Sequence, residues 1–562
     1  MRTLTRRHFI QLAAQSSVAA LAAHWSMHEA AHGAAHAAAH AQPQADPPNI
    51  LIVMVDQMRY PQWFDEAGGL DALPNIKRIA QGSVNFGRHY AAASCCTPSR
   101  GCMLTGLYAH QTNCLITSVS NLHPDFPTWG TFLREAGYAT PWFGKWHCSE
   151  DDTPELDAAY SFLEPYGFSA YTNPDPHGVP GQGLYQDDDI AGQFTAWLGE
   201  AANQADNPWC ATVSFVNPHD IMFYPRLIPP AEKEAPAVFS TLPPNYETQL
   251  QLTARQKPQL QIELIRTANR MFGEMGHLPI NDDEWLKMLD IYLYMQQLVD
   301  AQVGRVLDAL EAQPQIRDNT IVIFTSDHGD YCGSHGLRGK GGAVYEESIW
   351  VPFYLKDYSG KLTAQPGDRT QLTSHVDLTP LLLSIAYGGD SWRTLPQTAH
   401  LANRLDMLSI VKDPNASGRP YVLHTTDEPG LEEKEDPAYD WMPFNNDVAS
   451  HVVGYRTAAG KLSTYSFWQE NSTQILSDGQ EIECYDYATE EGRREIDNIT
   501  DADNALYTSL KSGLDDAITD ELRAPLPAAL QSAQTEAMIQ YLLDIGQGSQ
   551  IFLPGVSSGG DL

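Results

Sequence analysis

Asn49-Ile50-Leu51-Ile52-Val53-Met54-Val55 is an apolar run bounded by Pro48 and Asp56. A run of this length with no polar alternation fits a strand covered on both faces, as strands of parallel sheets are. Asp56-Gln57 then falls at its carboxyl end, where open α/β sheets place ligands, and two oxygen donors there suit a hard cation. Two further stretches repeat the pattern. Ala211-Thr212-Val213-Ser214-Phe215-Val216 is closed by Asn217-Pro218-His219-Asp220, and Asn319-Thr320-Ile321-Val322-Ile323-Phe324 runs into Thr325-Ser326-Asp327-His328-Gly329-Asp330. A fourth strand is expected over Tyr138 to Phe143, followed by Gly144-Lys145-Trp146-His147. Helical spacing lies between them, at 73–80, 128–136, Ile190/Phe194/Trp197/Leu198 and, over about 26 positions, 285–310. The expected class is α/β, with a large, mixed, mostly parallel sheet flanked by helices.

The chemistry concentrates in Cys96-Thr97-Pro98-Ser99-Arg100-Gly101-Cys102-Met103-Leu104-Thr105-Gly106. Proline in the first turn is a helix-start signal, so Cys96 is expected at a helix N-terminus, where free N–H groups and the dipole favour anions and activate thiols. Arg100 returns to the same helical face and offers a planar fork for an oxyanion. The pattern points to attack on a sulfate or phosphate ester. Cys95 stands beside Cys96, but only Cys96 lies two residues before Pro98 and four before Arg100. The eight cysteines show no paired CxxC spacing for zinc, and their order sets no disulfide pairing.

The 562 residues, 43% of them hydrophobic, suffice for one large domain and a smaller one. With a formal charge of −35, the chain is a poor partner for nucleic acid, whose phosphates must be neutralised by Lys and Arg. The N-terminus, Met1-Arg2-Thr3-Leu4-Thr5-Arg6-Arg7-His8-Phe9-Ile10, precedes a short Ala/Leu-rich stretch too weakly apolar for a membrane span and similar to a twin-arginine export signal. Residues 1–41 are read as this signal plus an Ala/His-rich linker, and the enzyme as periplasmic or secreted. His24, His28, His32, His36 and His40 recur at a spacing of four and would form one stripe on a helix. Residues 46–414 are expected to form the catalytic domain. Residues 415–562 are read as a C-terminal subdomain with a small antiparallel sheet, from Tyr421 to His424, His451 to Arg456 and Lys461 to Trp468, and a helical extension at about 504–543. No transmembrane segment is expected.

Cys96 to Gly106 resembles the signature of the formylglycine-dependent sulfatases of the alkaline phosphatase superfamily, C-x-P-S-R followed by L-T-G. Further blocks agree in order over roughly residues 48–500: Gly144 to His147, His335-Gly336-Leu337-Arg338-Gly339-Lys340, and Cys484-Tyr485-Asp486-Tyr487 before Arg493 to Ile499. The resemblance implies an alkaline phosphatase-like fold and a Cys96 oxidised to Cα-formylglycine by a maturation enzyme. It also implies one divalent cation held by Asp56, Gln57, residue 96, Asp327 and His328. Gln57 departs from the commoner Asp-Asp pair and is similar to choline-sulfatase-like and phosphonate-monoester-hydrolase-like members. Mostly oxygen donors favour Ca²⁺ or Mg²⁺, of which Ca²⁺ is expected, and the one imidazole keeps Mn²⁺ open.

The implied reaction is hydrolysis of a small-molecule or carbohydrate sulfate ester by the formylglycine hydrate. Arg100, Lys145 and Lys340 would stabilise sulfuryl oxygens, His147 would assist deprotonation, and His219 would protonate the leaving alcohol. The alternative is a phosphonate monoester or phosphodiester hydrolase, whose members typically lack the Lys and His of the Gly144 to His147 block. The loops at 151–185 and 221–282 are read as the walls that set the leaving group.

Overall fold

The computed structural model describes residues 41–60, 68–149, 162–200, 207–276, 282–429, 441–443, 445–469, 474–547 and 550–552. The export signal, the histidine stripe, and parts of the two loops (151–161 and 277–281) lie outside the described residues. The chain separates into Met1–Gln42 and Pro43–Leu562, and the second unit holds all that follows.

Eight strands form the main sheet: β1 (Asn49–Val55), β2 (Val84–Phe86), β3 (Pro141–Gly144), β4 (Ser169–Ala170), β5 (Cys210–Ser214), β6 (Thr320–Ser326), β7 (Phe353–Asp357) and β8 (Gly367–Arg369). Their spatial order is β8-β2-β7-β6-β1-β5-β3-β4. Strands β6, β1, β5, β3 and β4 run parallel, and β7 is antiparallel to both of its neighbours. Every residue of β1 and β6 is buried. Alternate side chains serve opposite faces: Ile50, Ile52 and Met54 join one apolar core, and Leu51, Val53 and Val55 the other. The unbroken apolar run is the direct result of this two-sided covering.

Helices α1 (Pro74–Ala80), α2 (Cys96–Thr105), α3 (Ala109–Thr112), α4 (Gln182–Glu200), α5 (Asp282–Glu311) and α6 (Leu378–Ala386) include those that flank the sheet. On one face, α1, α4 and α5 supply Ile76, Phe194 and Val303 to the core that takes Leu51 and Val53. On the other, α2 and α6 supply Met103 and Leu382. A four-stranded antiparallel sheet follows, in the order β9 (Tyr421–Thr426), β10 (His451–Thr457), β11 (Gly460–Trp468), β12 (Ile475–Asp486), and α7 (Ala505–Ala517) packs its Leu510 and Leu514 with Leu462 of β11. The expected class, a mostly parallel α/β sheet with a small antiparallel one, describes this architecture. The eight cysteines are buried free thiols.

Candidate active site

Strand register assembles the site. Val55 of β1 and Ser326 of β6 are paired neighbours, so Asp56 and Asp327, each one residue further, emerge side by side at the carboxyl edge of the sheet. Gly144 of β3 pairs with Ser214 of β5, so Lys145 and the segment leading to His219 leave the same edge. Gly144 is required there: its φ is 86°, and an added Cβ would lie 2.0 Å from the Ser214 carbonyl oxygen, which accepts the Lys145 N–H.

Helix α2 points its N-terminus into this edge, with Cys96 in the first turn and the extended Cys95 as cap. The Cys96 Sγ lies 2.9 Å from Lys340 Nζ, 3.3 Å from His328 Nε2, 3.6 Å from Asp56 Oδ1 and 3.8 Å from Lys145 Nζ. Burial pushes the thiol up, but Lys145, Lys340 and His328 outweigh it and hold Cys96 well below its ordinary range. Cys95 moves the opposite way, raised by burial and by Glu428. The neighbours thus separate the two adjacent cysteines.

Arg100 makes four hydrogen bonds to protein groups: Nε to Asp327 Oδ2 (2.8 Å), Nη2 to Asp56 Oδ2 (3.2 Å), and Nη1 to the Lys145 carbonyl and Ser214 Oγ. The fork read from the sequence as an oxyanion clamp is turned instead on the two carboxylates. With five N–H groups available, it orients the pair and offsets their mutual repulsion. Lys145 Nζ adds an ion pair to Asp56 Oδ2 at 2.8 Å, and both groups are fully buried. Burial raises Asp56, yet Lys145 and Lys340 leave it far below the carboxylate range.

The donor set fits a divalent cation. One ligand atom each from Asp56, Cys96, Asp327 and His328 lies within 4.8 Å of the others, and all four residues are buried. Gln57, held at φ 71°, donates its Nε2 to Asp330 Oδ2, while its buried Oε1 has no hydrogen-bond partner. An orphaned amide oxygen of this kind is a group waiting for a cation or a donor. His328 Nδ1–H donates to the Gly329 carbonyl at 2.9 Å, which fixes the ring and leaves Nε2 toward Cys96 and the carboxylates.

Around this core stand the two remaining histidines. His147, at φ 53°, has its backbone N–H on Asp175 Oδ2 and its Nε2 3.2 Å from Ser118 Oγ; burial, aided by Lys145, pushes it down to about 4. His219 is 3% exposed, and its Nδ1 has no hydrogen-bond partner but lies 4.0 Å from Asp220 Oδ1. Gly178 packs between His219 and Lys145, where a Cβ would meet His219 Cε1 at 2.5 Å and Lys145 Nζ at 3.0 Å. The structure thus brings Asp56, Gln57, Cys96, Arg100, Lys145, His147, His219, Asp327, His328 and Lys340 to one end of the sheet. Four supporting residues escaped the sequence reading: Asp175, Gly178, Ser214 and Asp330. They act through backbone N–H groups, a close approach or a single amide, and only the Asp-His-Gly-Asp run hinted at Asp330.

Among known proteins, residues 48–389 match the family model for sulfatases. The sulfatase YidJ of Escherichia coli (strain K12) is 29% identical over 365 residues, which is 60% of this chain and 68% of that one. The choline-sulfatase of Rhizobium meliloti (strain 1021) is 27% identical over 368 residues, again 60% of this chain and 67% of the relative. Among solved structures, a 2-O GAG sulfatase superposes with a TM-score of 0.62 at 21% identity, covering 87% of this chain and 96% of that one. A phosphonate monoester hydrolase from Silicibacter pomeroyi superposes at 0.63 and 22% identity, covering 86% and 96%. Family match, fold and site coincide: the chain belongs to the sulfatase family of the alkaline phosphatase superfamily and is a sulfuric ester hydrolase.

Proposed function

We propose that the chain hydrolyses a small-molecule or carbohydrate sulfate ester to the alcohol and inorganic sulfate, with residue 96 as nucleophile after oxidation to formylglycine. The observation that carries this reading is the placement of Cys96 against Lys340, Lys145, His328 and Asp56 at a helix N-terminus. A formylglycine-generating enzyme is the partner required, and its product, a hydrated aldehyde, supplies two hydroxyls on one carbon, one to attack sulfur and one to expel sulfate. A divalent cation, Ca²⁺ by the preponderance of oxygen donors, would be held by Asp56, Gln57, Asp327, His328 and residue 96, and would supply positive charge for an anionic nucleophile and sulfuryl oxygens.

The side chains divide the remaining work. Lys340 and Lys145 are the cations nearest residue 96 and bind the sulfuryl oxygens, while Arg100 holds the two aspartates. His147, its Nδ1 unpartnered, takes the proton released at residue 96. His219, also without a hydrogen bond at Nδ1 and facing Lys145 across Gly178, delivers the proton to the leaving oxygen. Relatives named for choline, for hexuronate-2-O and for N-acetylglucosamine-6-O sulfate esters support a sulfate substrate of this size class. Export by the twin-arginine route to the periplasm or beyond completes the proposal. Among the described residues no helix is long and apolar enough to cross a membrane.

Cys96→Ala, co-expressed with a formylglycine-generating enzyme, is expected to lose aryl sulfatase activity; full activity in that variant would sink the mechanism. A second reading, phosphonate monoester hydrolysis, is favoured by the Silicibacter pomeroyi structure. Lys145 and His147 weigh for sulfate, and a clear preference for an aryl phosphonate monoester over an aryl sulfate in paired assays would reverse the order.

A further inference from the structure

Away from the catalytic cluster, three segments distant in sequence bring two imidazoles to one carboxylate. His110 lies in α3, Asp427 follows the last residue of β9, and His451 opens β10. His110 Nε2 is 2.9 Å from Asp427 Oδ2, and His451 Nδ1 is 2.6 Å from Asp427 Oδ1. The two rings stack at 4.5 Å between centroids and 23° between planes, and one ligand atom from each of the three residues lies within 4.8 Å of the others. The Asp427 side chain is 1% exposed and that of His451 5%, while His110 is 12% exposed and reaches the surface.

We propose that His110, Asp427 and His451 form a second metal site, for a borderline divalent transition ion such as Zn²⁺, separate from the oxygen-rich catalytic site. Two imidazoles and a carboxylate are a donor set that Zn²⁺ takes up with a fourth position left for solvent. Bonds of about 2.0–2.2 Å in tetrahedral geometry separate neighbouring ligand atoms by roughly 3.3 Å. Both present N···O separations therefore need to open by less than about 1 Å, and the partly exposed His110 edge gives the ion an entry path. The ion would clip the helix that follows the signature helix to two strands of the antiparallel sheet. Glu428, next to Asp427, accepts the Thr117 N–H at 2.7 Å and neighbours Cys95, so the clip would also brace a wall beside residue 96.

The same geometry without metal is a hydrogen-bonded relay, in which two imidazole N–H groups donate to Asp427. The two cases respond differently to His110→Gln combined with His451→Asn. These side chains keep an N–H for Asp427 but are poor zinc ligands. Full-length wild type and the double variant are each loaded with Zn²⁺, desalted, and assayed for metal content and melting temperature. The N-terminal histidines and catalytic site are common to both, so the difference isolates the proposed site. The expected result is one more zinc per chain in the wild type, with a Tm that zinc raises by roughly 2–5 °C in the wild type only. Equal zinc content, or an equal thermal response, overturns the proposal. If the double variant does not fold, Asp427→Asn replaces it with the same two readings and the same criteria.

Discussion

Gln57 carries a buried amide whose nitrogen is spent on Asp330 and whose oxygen has no partner. Asp330 would thereby decide which end of the amide faces the proposed cation. Asp330→Ala frees the amide to rotate and is expected to weaken divalent-cation affinity about 10- to 100-fold, as losing an outer-shell partner does. Titration calorimetry on the purified protein reads this directly, and an unchanged affinity would deny Asp330 its positioning role. His219 faces a different test. His219→Ala is expected to lose about 10² to 10⁴ in rate on an alkyl sulfate, whose leaving oxygen needs a proton, and far less on a nitrophenyl sulfate, which leaves readily as an anion. Equal losses on both esters would remove the general-acid assignment. At this scale the sequence was a good guide to which residues gather and a weaker one to direction. Arg100 was legible as a site residue, but its bonds to Asp327 and Asp56 depend on a register between β1 and β6 that no local pattern encodes.

The parallel strands β1, β5 and β6 were legible because each is buried on both faces and so reads as an apolar run. Strand β12 was not: residues 476–479, a third of this twelve-residue strand, are exposed, and the polar run from Ser477 to Glu481 breaks the apolar signal. The reversal of β7 was equally hidden, since direction follows from connections rather than composition. Loops gave up least. Asp175 and Gly178 sit in a Pro- and Gly-rich stretch, yet Asp175 accepts the Trp146 and His147 N–H groups, and Gly178 has φ 90° against His219. Gly178→Ala must strain that backbone and push a methyl group at the His219 ring. The expected outcome is a fall in kcat/KM of at least about tenfold with a Tm near that of the wild type, because the segment lies at the site rather than in the core. Wild-type kinetics in this variant would show that the close approach has no bearing on His219.

For the whole molecule, the balance of 70 acidic against 35 basic residues sets a field that repels an anionic ester, and the buried Lys145 and part-buried Lys340 would have to draw it in locally. Exposed charge is screened within about 10 Å at 0.1 M salt, and a buried cluster much less. Raising ionic strength from very low to about 0.15 M is therefore expected to increase kcat/KM for a small sulfate ester; a steep fall would mean that the site's own cations dominate the approach. Fold, register and local charge all converge on residue 96, which makes its chemical state the sharpest point of the account. The measurement is peptide mass spectrometry of the Cys96-containing segment in enzyme that is actively releasing sulfate, read beside the activity of the same preparation. The account predicts the mass of an aldehyde at position 96 and activity that scales with the converted fraction. Full sulfatase activity in a preparation whose residue 96 is entirely thiol would contradict it.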